Sequence, residues 1–169
     1  MKKIVSTDIL LGNSIHGHIH DVIGRVQTGE PLPTENELVE RIRTDLNSAY
    51  IDSTQRRQQW YEQPSKYSML HEIYYDGQLS KEKIHDIQER TSLCVNHFLS
   101  SQTFEEIIHN PDLKIVDSER FRVMEVDGVN IFAVLDLVYQ RINPRILDNY
   151  TLNLSFSQFF IFCFLPLFR

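Results

Sequence analysis

Asp127-Gly128, set between two β-rich runs, constrains this chain more than any other pair of residues. An Asp-Gly dipeptide suits a two-residue hairpin turn, whose central residues need positive φ. It sits inside IVDSERFRVMEVDGVNIFAVLDLVYQRINPRILD, Ile115 to Asp148. A turn there makes facing residue numbers add to a constant. Val126 then faces Val129, Met124 faces Ile131 and Arg122 faces Ala133. On the other face Val123 meets Phe132, Phe121 meets Val134 and Glu119 meets Asp136. A third strand, Arg145 to Asp148, follows the loop at Asn143-Pro144. If that loop centres on Ile142, Asp148 stands opposite Asp136. Like charges opposed across a ladder destabilise it. One resolution is a hard cation such as Mg²⁺, which takes oxygen ligands. The plainer one is that the carboxylates point into solvent, and a one-residue slip would scatter the row to opposite faces.

Upstream, the apolar period changes from two to that of a helix. Asp8 or Thr7 can cap a first helix carrying Leu11, Ile15, Ile19, Val22, Ile23 and Val26. Gly12, Gly17 and Gly24 each cost that helix roughly 1 kcal/mol relative to Ala, which suggests close approach by another backbone or a ligand. His16 and His20 have the spacing of paired helical metal ligands. The plainer reading is two partly exposed polar side chains on a helix flank. Gly29 and Pro31-Leu32-Pro33 end the helix. Thr34 with Glu37 makes a capping box for a second helix, to about Tyr50, carrying Leu38, Val39, Ile42, Leu46 and Ala49. The polar run from Asp52 to Tyr67 reads as a loop or a short exposed helix anchored by Trp60 and Tyr61. Met69 to Tyr75 is a short aromatic run. Ser80 can cap a long helix carrying Ile84, Ile87, Cys94, Val95, Phe98 and Leu99, and Thr103 to His109 is a shorter helix.

These elements predict an α/β (α+β) chain with a sheet and flanking helices. A single domain is expected over residues 1–150, helical over 1–110 and with its hairpin sheet over 113–148. Residues 151–169 change character: TLNLSFSQFFIFCFLPLFR holds six of the ten phenylalanines and one charge, Arg169. The run is short for a membrane span, which needs about 20 apolar residues, and Pro166 interrupts it. Its alternation is strand-like. It either covers a sheet edge or is an ending foreign to the fold.

The formal net charge of −6 argues against a generic, charge-driven nucleic-acid binder. It leaves room for an enzyme that meets nucleic acid through a metal and a local basic patch. Arg41, Arg43, Arg56 and Arg57 are candidates for that patch, their plainer reading being solvated helix faces. Cys94 and Cys163 lack metal-motif spacing, and no secretory signal precedes the fold, so a cytoplasmic location is expected. Cys94 reads as a buried small hydrophobe.

Taken together, these segments resemble the RecB-like branch of the PD-(D/E)XK nuclease superfamily. LLGNSIHGHIHDVI looks like that branch's first helix, where a Gly precedes a metal-binding His by four residues. That role falls on His16, with His20 a near miss. LHEIYYDG looks like a Glu-x-Tyr-Tyr element of some bacterial and phage relatives. The hairpin looks like the strand pair carrying an early Glu, here Glu119, and the first catalytic Asp, here Asp136, preceded by Leu135 where Pro is common. ILDNYT falls where relatives read Ile-Val-Asp-x-Lys-Thr-Gly. Asp148 matches the second acid, Tyr150 replaces the lysine and Leu152 the glycine.

The resemblance implies a mixed sheet flanked by helices, a restriction-endonuclease-like core with an incomplete C-terminal part. It implies Asp136, Asp148 and Glu119 as catalytic residues, and His16, Asp136 and Asp148 as ligands of Mg²⁺ or Mn²⁺. It implies DNA as the partner and phosphodiester hydrolysis as the reaction, impaired by the missing lysine. The alternative is an inactive nuclease-fold relative that serves as a binding or structural module. A third reading is a small membrane-associated protein held by its tail.

Overall fold

The computed structural model describes residues 4–110, 113–117, 120–126, 129–135, 138–141 and 152–154. The chain forms two compact units, Met1–Leu99 and Ser100–Arg169.

The first unit is built from helices α1 (Thr7–Thr28), α2 (Glu35–Gln55), α3 (Arg57–Glu62), α4 (His71–Tyr75) and α5 (Lys81–Leu99). α1 buries Leu11, Ile15, Val22 and Ile23, positions four, seven and eight apart that fall on one helical face. The N-cap is Ser6, whose Oγ accepts from the Ile9 N–H, and neither Thr7 nor Asp8 fills that place. Gly29 ends α1 at φ 71°, a left-handed cap that costs glycine nothing. The capping box of Thr34 and Glu37 forms as expected, and α2 buries Leu38, Ile42 and Ala49. It then runs past Tyr50 to Gln55. Ser80 Oγ accepts from the Lys83 N–H at the start of α5, again as expected. The buried stripe of α5 is Ile87, Thr91, Val95 and Phe98. Ile84 is 41% exposed and Cys94 only half-buried, so that stripe is narrower than its apolar content suggests.

α1, α2 and α5 pack pairwise against one another. Trp60, Met69, Leu70 and Ile73 complete the core from the short segments. Each such large apolar side chain contributes about 1.5–3 kcal/mol by leaving water.

The second unit begins with α6 (Gln102–His109), capped by Ser101 and burying Phe104 and Ile107. Its strands are β1 (Leu113–Asp117), β2 (Arg120–Val126), β3 (Val129–Leu135), β4 (Val138–Arg141) and β5 (Leu152–Leu154). β2 and β3 pair antiparallel, with Val126 opposite Val129, Met124 opposite Ile131 and Val123 opposite Phe132. That is the register expected of a turn at Asp127-Gly128. β1 pairs with β4 and β4 with β5, both antiparallel, with a register shift between Ile115 and Asp117. The strand-like character of the tail is realised at Leu152–Leu154, on the edge of this small sheet. The third strand expected at Arg145 to Asp148 lies outside the described residues.

The fold class is therefore corrected. The described structure is mostly helical, and no mixed sheet with a restriction-endonuclease-like core is found. Every described strand pair is antiparallel. Strands β1 to β4 follow one another after gaps of two residues, too short for the crossover that a parallel pair requires. In the helical unit the apolar stripes of α1, α2 and α5 satisfy one another, so that unit closes without a sheet. The nuclease resemblance was carried by short motifs, and the restriction-endonuclease-like core that it implied is not what the described residues form.

Candidate functional site

Glu119, Asp136 and Asp148, the expected acids, lie outside the described residues, as does Tyr150. His16 is half-buried on α1 and His20 is exposed. Among the described residues no three His, Cys, Asp or Glu side chains converge to hold a metal. Of the glycines expected to mark a close approach, Gly17 and Gly24 do not: a Cβ on either would meet nothing within 4 Å. The basic patch largely resolves into ion pairs, Arg41 with Asp21, Arg43 with Glu40 and Arg56 with Asp52.

Three polar clasps organise the helical unit instead. The first holds the start of α1. Val5 bridges to Leu70, its N–H donating to the Met69 carbonyl and its carbonyl accepting from the His71 N–H. Both Glu72 carboxylate oxygens accept from the Thr7 N–H, at 3.0 and 3.3 Å, which serves an amide the helix itself leaves unpaired. One residue on, Asp8 receives Lys83 Nζ at 2.7 and 2.8 Å and Arg90 Nη1 at 2.7 Å. Burial pushes the Asp8 carboxyl up, but the hydrogen bonds and charges of Lys83 and Arg90 outweigh it and hold the pKa below its ordinary value. Burial likewise pulls Arg90 down while Asp8 more than restores it.

The second clasp joins α1 to α2. Ser14 Oγ donates to Asp45 Oδ2 at 2.6 Å, and His18 Nε2 lies 3.0 Å from the same oxygen. Serine, histidine and aspartate meet here, but in the wrong order for a nucleophile. A general base must face the hydroxyl it activates, whereas here the serine proton is directed at the carboxylate. The arrangement is a tie between helices.

The third clasp mounts a surface. Asp52 accepts from the Ser68 N–H at 3.1 Å, and Ser53 Oγ accepts from the Leu70 N–H at 2.8 Å while donating to the Ala49 carbonyl. Side chains from the end of α2 thus fix residues 68–70, which lead into α4. Trp60 is 1% exposed and packs edge-on against Tyr61 and Tyr74, with ring centroids 5.0 and 5.9 Å away. Tyr74 meets Tyr75 at 4.9 Å, and Tyr75 meets His71 at 4.6 Å. The Arg57 guanidinium lies 5.2 Å from the Tyr74 ring centre, within cation–π range. A hydrogen bond shared with Tyr61 raises the Tyr74 phenol above its ordinary pKa. Tyr75 is 64% exposed and Tyr61 37% exposed. Of the two residues expected to anchor this region, Trp60 does so and Tyr61 stays at the surface.

The clasps were not legible in the sequence because Asp8 and its partners are 75 and 82 residues apart, and Ser14 and Asp45 are 31 apart. The aromatic face had a signal, the pairs Trp60-Tyr61 and Tyr74-Tyr75, but nothing in the sequence joins the two.

No protein family matches the chain, and neither does any curated protein or solved structure. No helix among the described residues is long and apolar enough to cross a membrane.

Proposed function

We propose that the chain is a binding module whose recognition surface is the aromatic face of α3 and α4. The observation that carries this reading is the mounting of that face. α4 has five residues, far too few for an independent helix. Its tyrosines nevertheless hold defined positions, because Trp60 lies buried beneath them and Asp52 and Ser53 tie down the approach. Tyrosine and arginine on a rigid support are the side chains that dominate protein recognition, since they give large contact area for little lost freedom. Three carboxylates of the helical unit that are withdrawn from water support the same reading. Asp8, Asp52 and Glu72 are each taken up in holding helices and loops together.

Selection of a displayed random-peptide library against the full chain tests the proposal. Selected peptides should lose at least about tenfold in affinity to Tyr75→Ala and to Arg57→Ala, the scale of a hot-spot truncation. They should be indifferent to Leu93→Ala, an exposed apolar control on α5. Binders that ignore both face variants would overturn the proposal. So would Mn²⁺-dependent DNA cleavage by this chain that disappears in Asp136→Ala.

A further inference from the structure

Building on that binding reading, we infer that the α3–α4 face takes an acidic, proline-containing segment in the polyproline II conformation. Ring geometry comes first. Trp60 meets Tyr61 and Tyr74 at 61° and 65°, Tyr74 meets Tyr75 at 76°, and His71 meets Tyr75 at 45°. Trp60 is buried, so the notches that such angles leave at the surface are those of the Tyr74–Tyr75 and His71–Tyr75 pairs. A stacked nucleobase needs an open, flat face, and Arg57 already lies over the ring of Tyr74. Notches between non-parallel tyrosines suit the compact, rigid rings of proline.

Backbone chemistry narrows the occupant further. Both elements of the face are helices, so the surface offers no open strand edge for a β-strand to join. A polyproline II segment has no internal hydrogen bonds to lose and little conformational freedom to give up. It needs ring contacts and a few polar anchors, of which Arg57 is one.

Arg57 supplies the sign. It forms no ion pair with the described residues, whereas Arg56 beside it is held by Asp52. A guanidinium held over a ring by cation–π attraction still has N–H donors to offer a carboxylate, which it can take in a bidentate manner. The complementary partner therefore carries an Asp or Glu beside its prolines.

Four probes test this on the full chain: a synthetic peptide alternating prolines with glutamates, the same peptide with lysine for glutamate, the same with alanine for proline, and oligothymidylate. Trp60, the one tryptophan, reports binding by fluorescence from 5.0 Å behind Tyr61. The acidic proline peptide should bind at least tenfold tighter than either peptide variant. Tyr75→Ala should weaken it roughly tenfold. Arg57→Glu should reverse the charge preference toward the lysine peptide, a result that mere unfolding cannot produce. Equal binding of the three peptides would overturn the inference, as would oligothymidylate binding that depends on Tyr75 and Arg57. If no synthetic peptide binds while library-selected peptides still require Tyr75 and Arg57, the occupant is wrong and the binding-module reading survives.

Discussion

Two of the clasps grip the same helix, and they do so differently. At the start of α1, Asp8 meets two fixed cations, and its side chain is 20% exposed. Further along the helix lies the second clasp, at Ser14 and His18, where Asp45 meets a serine and a histidine and is 48% exposed. The first pairs permanent charges that are half withdrawn from water. The second joins a carboxylate still half in water to a neutral hydroxyl and to an imidazole ring. Coulombic attraction strengthens as water leaves, but so does the penalty for an unmatched charge. The first clasp should therefore be the one whose breakage is costly.

The largest expected effect follows from Asp8→Ala. It leaves Lys83 and Arg90 facing each other, half-buried, with only the distant carboxylate of Asp86 at 3.5 Å from Arg90. Removing one partner of a fully buried pair costs about 3–5 kcal/mol, and partial exposure reduces this to about 2–3 kcal/mol. The shift in urea midpoint measures it. A loss below 0.5 kcal/mol, the scale of an exposed ion pair, would erase the distinction between the clasps.

Acid should weaken the first clasp in the same direction. The folded-state pKa of Asp8 lies below its ordinary value of 3.8, so the folded state binds its proton less readily than the unfolded chain. Its contribution to stability is thus full above the unfolded pKa and disappears as pH falls through the folded one. Stability from this clasp should be constant across neutral pH and fall below about pH 4. The difference in melting temperature between the natural chain and Asp8→Asn, followed from pH 7 to pH 2, should shrink over that acidic window. A difference that persists unchanged at pH 2 would show that Asp8 acts through packing.

Asp45→Ala should cost less, about 1 kcal/mol, the typical worth of a half-exposed hydrogen bond. A double-mutant cycle of Asp45→Ala with Ser14→Ala should give a coupling well under that of Asp8→Ala with Arg90→Ala. The reverse ranking would mean that burial is a poor guide to these two ties.

The smallest effects have the opposite sign. Gly17→Ala and Gly24→Ala lie on α1 between and beyond the clasps, and an added Cβ meets nothing at either place. Each should stabilise the helical unit by about 0.5–1 kcal/mol, the difference in helix propensity. Destabilisation by either would reveal a neighbour that approaches α1 on this side and would revive the close-approach reading of its glycines.

The sequence by itself determined whatever depends on residues a few positions apart. The Thr34–Glu37 box, the left-handed Gly29, the Ser80 cap and the register about Asp127-Gly128 all rest on hydrogen bonds or turns within a short stretch of chain. The helical spacing on α1 marked its buried face for the same reason. Tertiary structure decided the rest, because charges and rings choose partners by distance in space. Asp8 is a good capping residue, but Lys83 and Arg90 draw its carboxylate away and leave the cap to Ser6. Asp52 and Ser53 read as the start of a polar loop and are buried, because backbone amides of residues 68 and 70 need their oxygens. The mixed sheet was expected from the nuclease resemblance of short segments in the right order along the chain. Their order does not say what each packs against: α1, α2 and α5 bury their stripes in one another.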